Sequence, residues 1–113
     1  MDSSVSGCFL LFSGFMAQFT TRVELHGVTS QDYENLLSAM ELKGFSRTIT
    51  AHDGTAYLLP TAEYNRTGQD LTTAQVLNDA KAAASSVAGK FSMLVTEASA
   101  RMWLDLSEHR PSP

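Results

Sequence analysis

Arg22, Glu24 and His26 occupy alternate positions of the run Phe19 to His26, so an extended chain presents all three on one face. Histidine titrates near neutral pH and serves as a general acid or base. A guanidinium binds phosphate through paired N–H donors, and Glu24 stands where a carboxylate could orient the imidazole. These residue types fit acid–base chemistry at a phosphodiester. The alternative is a solvated strand face with ordinary charge pairing. Arg47 is a second candidate phosphate contact, able to bury its stem and hold its guanidinium at a rim. Tyr64 lies in a polar stretch beside Glu63 and Arg66. There its ring could stack on a base of single-stranded RNA while Arg66 holds the backbone. The candidate catalytic set is therefore Arg22, Glu24, His26 and Arg47. The candidate RNA-contacting set is Arg47, Tyr64 and Arg66. Tyr57 and Trp103 are further aromatics able to stack, and Tyr57 also reads as sheet filler.

Other chemistries lack their residues. Cys8 is the single cysteine of 113 residues, which removes an intramolecular disulfide and any cysteine-based zinc site. One cysteine also fits a reducing compartment, the cytoplasm. No H-x-x-x-H, D-x-D or E-x-x-H pattern occurs, and Asp53 beside His52 is explained by a turn, so no metal site is expected. No G-x-S-x-G, P-loop or G-x-G-x-x-G is present, so neither a nucleophile elbow nor a nucleotide cofactor is expected. The net charge of −4 excludes a broadly basic nucleic-acid coat and confines any RNA contact to a local patch. The apolar run Cys8 to Phe15 is far shorter than the ~20 residues needed to span a bilayer. It also lacks the basic residues that open a signal peptide.

The elements that must position these side chains follow from local signals. Phe19 to His26 alternates, with Phe19, Thr21, Val23 and Leu25 on one face, and predicts a first strand ended by Gly27. Thr29 or Ser30 can cap a helix in which Tyr33, Leu36, Leu37 and Met40 recur at helical spacing, stopped by Gly44. Phe45 to Thr50 predicts a second strand and Thr55 to Leu59 a third, joined by Asp53-Gly54 as a type I′ turn and closed by Pro60. Thr61 to Asp70 is polar and reads as a long loop. Thr72 and Gln75 form a capping box, with Leu71 placed to staple onto Val76. The second helix they open carries Val76, Leu77, Ala80, Ala83, Ala84 and Val87 on its apolar side and ends at Gly89. Phe91 to Thr96 predicts a fourth strand, and Met102 to Leu106 is a candidate extra C-terminal strand. Residues 1–15 are expected to be a peripheral N-terminal extension, 16–106 a single domain and 107–113 a flexible tail. The order is the α+β, ferredoxin-like βαββαβ sandwich: an antiparallel sheet with two helices on one face. Its other face is left open for a second copy or a ligand, and a homodimer is expected.

Five strings keep their order along this frame: R-V-E-L-H at Arg22 to His26, G-F-S-R-T-I at Gly44 to Ile49, D-G-T at Asp53 to Thr55, L-P-T-A-E-Y at Leu59 to Tyr64, and L-V-T-E-A at Leu94 to Ala98 with a following tryptophan. Together they resemble the GhoS-like antitoxins of type V toxin–antitoxin systems, over roughly Phe19 to Leu106. The resemblance implies a ferredoxin-like fold similar to the small CRISPR-associated nuclease subunits. It also implies an endoribonuclease that silences a membrane toxin by cleaving the toxin's messenger RNA. The CRISPR-associated subunits hold a metal with an Asp at the end of the first strand. Here that stretch is Glu24-Leu25-His26-Gly27, so a metal-independent reaction through the RNA 2′-hydroxyl is expected. The alternative function is a non-enzymatic dimeric interaction or regulatory module of the same fold, with a small-ligand sensor as a third.

Overall fold

A computed structural model describes residues 16–109; the expected extension at 1–15 and the end of the expected tail, 110–113, lie outside the described residues. The chain runs β1 (Met16–Leu25), α1 (Ser30–Leu42), β2 (Thr48–Thr50), β3 (Ala56–Leu58), β4 (Glu63–Gln69), α2 (Thr73–Ser85) and β5 (Phe91–Glu97). The class is α+β. β1 lies at the centre of a three-stranded sheet of order β4-β1-β5, antiparallel to both neighbours, and β2 and β3 form a separate antiparallel hairpin.

Strand alternation in β1 sets the layers. Ala17, Phe19, Thr21, Val23 and Leu25 are buried, and the residues between them are exposed or half-buried. The buried set joins Leu36 and Met40 of α1 and Val76, Ala80, Ala83 and Ala84 of α2 in one core. Each large apolar side chain removed from water there contributes about 1.5–3 kcal/mol. The alanines of α2 let its backbone approach the sheet closely. Both helices therefore cover one face, and Gln18, Thr20, Arg22 and Glu24 stand on the other.

The helix termini obey local chemistry. Thr72 opens α2: its hydroxyl accepts from the Gln75 N–H at 3.1 Å, and the Gln75 side-chain carbonyl accepts from the Thr72 N–H at 2.9 Å. The Asp32 carboxylate accepts from the Thr29 N–H at 3.0 Å at the start of α1. Gly44 follows α1 with a φ of +90°, the left-handed conformation that ends helices. α2 stops at Ser85 rather than at Gly89, because the Ser86 hydroxyl bonds the Ala83 carbonyl at 2.7 Å and closes the last turn early. Leu77, expected on the apolar side, is 40% exposed.

The expected loop at 61–70 contains β4. Its helix-facing positions are Tyr64, Arg66 and Gly68, so no apolar alternation marks it in the sequence. Arg66 substitutes for an apolar residue by laying its guanidinium over the Phe45 ring, 5.1 Å from the centroid. Gly68 leaves the room that the Leu71 side chain occupies. The expected second strand is shortened at its start. The Ser46 hydroxyl accepts from the Thr48 N–H at 3.0 Å, a local turn that diverts the chain away from the sheet. Ser46 alone bridges to Asn65 of β4.

The hairpin turn is a three-residue loop rather than type I′. The Gly54 N–H bonds the Ala51 carbonyl at 2.9 Å, and Gly54, not Asp53, takes the positive φ. The Asp53 carboxylate accepts from the Thr55 N–H at 2.9 Å, which holds its pKa below the ordinary value. Met102 to Leu106 is not a strand. Arg101 anchors the chain across β1 and β4, so the segment passes over the strands instead of pairing along one. It then reaches β3 through the Leu58 N–H to the Ser107 carbonyl (2.9 Å) and the His109 N–H to the Ala56 carbonyl (2.8 Å). The start of the expected flexible tail, 107–109, is thus tied down. Among the described residues no helix is long and apolar enough to cross a membrane.

Candidate nucleic-acid interface on the open sheet face

The open face is read from the β1 register. Gln18, Thr20 and Arg22 stand opposite Thr67, Asn65 and Glu63 of β4, and Thr20, Arg22 and Glu24 stand opposite Thr96, Leu94 and Ser92 of β5. Arg22 donates to the Glu63 carboxylate at 3.3 Å and keeps 67% of its side chain in water. Such an exposed pair contributes little to stability and exchanges readily for another anion. Glu24 is exposed one step along β1. At the end of the strand His26 Nε2 and the Ser92 hydroxyl are 2.9 Å apart. A shallow hollow of about 180 Å³, lined by Arg22, Glu24, Ser92, Met93 and Leu94, lies along this row.

The remaining candidates lie elsewhere. Arg47 is half-buried: Nη2 donates to the Leu59 carbonyl at 2.9 Å, and its buried Nε has no partner among the described residues. It follows Ser46, which bridges to β4, whereas His26 meets Ser92 of β5 across the sheet. Tyr64 is a core residue at 1% exposure, so its ring is not presented to a base. Burial pushes its phenol above the ordinary value, and the positive charge of Arg47 partly offsets this. Arg66 pairs with Asp79 of α2 at 3.0 Å, with 15% of its side chain exposed, and holds helix to sheet rather than facing solvent. The fold therefore separates the candidates: Arg22, Glu24 and His26 on the open face, Tyr64 and Arg66 with the helices and core, and Arg47 against Leu59 beside the hairpin.

Arg101 belongs to the open face, and sequence reading missed it. The segment after β5 turns back across the sheet, and the Arg101 guanidinium spans β1 and β4. Nη1 donates to Asn65 Oδ1 at 2.9 Å and to Thr20 Oγ1 at 3.2 Å, and Nη2 donates to Gln18 Oε1. All three acceptors are neutral. Burial lowers the Arg101 pKa from its ordinary value. The one hint in the sequence is its place two residues before the only tryptophan. Trp103 packs against Tyr57 of the hairpin, ring centroids 5.6 Å apart and planes tilted by 53°. No cluster of three or more His, Cys, Asp or Glu among the described residues is placed to hold a metal ion. Comparison with known protein families, curated proteins and solved structures finds no match to this chain.

Proposed function

We propose that this chain is a GhoS-like antitoxin that acts as an endoribonuclease on toxin-encoding messenger RNA in the cytoplasm. The domain is read as ferredoxin-like: the Ser46–Asn65 bridge extends the order β4-β1-β5 by the start of a fourth strand, and the β2–β3 hairpin is an addition. The observation that carries the function is the grouping of Arg22, Glu24 and His26 on the one sheet face the helices leave open. RNA supplies its own nucleophile. His26 accepts the proton of a 2′-hydroxyl as that oxygen bonds to the adjacent phosphorus. The P–O5′ bond breaks, giving a cyclic phosphate and a 5′ oxygen that takes a proton from imidazolium or water. Arg22, released from Glu63, holds the phosphoryl oxygens as charge builds, and Glu24 orients the imidazole. Incubating the purified chain with toxin-encoding RNA, with and without a chelator, tests this. Cleavage in both tubes is expected. Intact RNA in both, beside folded protein, rejects it.

A second reading is a non-enzymatic homodimer formed through this same face. Leu94 favours it, since it lies on the open face and is 65% exposed. Under that reading His26→Ala leaves the biological effect intact.

A further inference from the structure

Arg101 is flanked by two hollows. One, of about 370 Å³, is lined by Gln18, Ile49, His52, Ser99, Arg101 and Trp103 among others. The other, of about 520 Å³, shares Arg101 and Trp103 and lies toward Pro60 and Leu106. Each falls within the ~300–1,000 Å³ typical of small-molecule clefts. In the first, His52 and Arg101 are the only ionisable lining residues among those described, and no described carboxylate there competes for an anion. A guanidinium has five N–H donors. Three of them go to neutral oxygens, and no described carboxylate pairs with Arg101. A half-buried cation with donors to spare, facing a polar cleft, is complementary to phosphate. Trp103, in ring contact with Tyr57, supplies an aromatic wall to the same cleft.

We propose that this cleft takes one nucleotide of a single-stranded RNA, its phosphate on Arg101 and its base against Trp103. The proposal rests on the RNA reading above and adds a binding subsite separate from the Arg22–His26 group. The subsite is assembled by residues far apart in the chain: the strap after β5, the start of β1 and the tip of the hairpin.

Trp103 is the only tryptophan, so its fluorescence reports this cleft alone. The full chain is titrated with adenosine 5′-monophosphate, and separately with a fully 2′-O-methylated single-stranded RNA that cannot be cleaved. Both should quench Trp103. Arg101→Gln should weaken both responses about tenfold or more. Because that change also loosens the strap, Gln18→Glu is the decisive second variant. Its carboxylate would fix Arg101 more firmly while neutralising it, so weakened binding with undiminished thermal stability supports the subsite. A purely structural Arg101 would instead leave Gln18→Glu binding like wild type, and that result overturns the proposal. No Trp103 response in wild type overturns it too, whether or not RNA is cleaved. A response to the mononucleotide with none to RNA overturns RNA as the occupant. Binding of both probes without any cleavage of natural RNA keeps the subsite and removes the endoribonuclease reading instead.

Discussion

Thr21 and Tyr64 face each other across the β1–β4 ladder, and both are sealed from water at 0% and 1% exposure. Among the described residues the Thr21 hydroxyl has no hydrogen-bond partner. A buried polar group left unpaired costs about 1–3 kcal/mol. Thr21→Val keeps the shape and removes the hydroxyl, so it should stabilise the fold by about 1 kcal/mol. Urea unfolding reads this as a higher midpoint with an unchanged slope. A lowered midpoint would show that the hydroxyl is engaged.

Tyr64 itself sets an alkaline limit. Burial raises its phenol pKa above the ordinary 10.0. Below the ordinary value both folded and unfolded chains keep the proton, and stability is fully present. Above it the unfolded chain ionises first, so stability falls as pH rises toward the folded pKa. Tyr64→Phe should remove this part of the loss. Melting temperatures of the two proteins, compared between neutral pH and about pH 11, should diverge only in the upper range.

The Arg66–Asp79 pair joins β4 to α2 at 3.0 Å but is partly solvated, with Asp79 39% exposed. Asp79→Asn should cost no more than about 1 kcal/mol, and less at high salt. Arg66→Ala should cost more, because it also strips the guanidinium from the Phe45 ring and uncovers that ring. Chemical denaturation at two salt concentrations separates the charge from the packing. Non-cleavable RNA should bind Asp79→Asn as it binds wild type.

The His26 side chain is exposed, and among the described residues its ring bonds only the Ser92 hydroxyl, while the backbone N–H donates to the Lys90 carbonyl at 3.0 Å whatever the side chain. His26→Ala should therefore melt like wild type while RNA cleavage falls by about 10²–10⁴-fold, the usual contribution of a general acid or base. Undiminished cleavage would remove His26 from the mechanism.

Leu94 projects beside Arg22 on the open face. If two copies meet there, Leu94→Glu places a desolvated carboxylate in the interface and sedimentation should show a dimer converted to monomer. A wild-type chain that sediments as a monomer at every concentration rejects the homodimer.

Much of this protein was legible in its sequence because the signals involved are local. The Thr72–Gln75 capping box, the Gly44 stop and the alternation of Phe19 to Leu25 depend on residues within a turn or two of one another. They fixed both helices and the central strand, and with them the shared face of Arg22, Glu24 and His26. Strand β4 was hidden because Tyr64, Arg66 and Gly68 form its inward row. Only Phe45, Asp79 and Leu71, from other elements, make an arginine and a glycine acceptable there. The same dependence moved Tyr64 from a solvent-facing aromatic to the core and turned Arg66 into a tie between layers. Arg101 acquires its place only when residues 83, 81 and 36 positions away in the chain supply its acceptors. Periodicity and capping are properties of a segment and survive in the sequence. The partner of a strand and the surroundings of a charge are properties of the packed chain, and only the tertiary structure decided them.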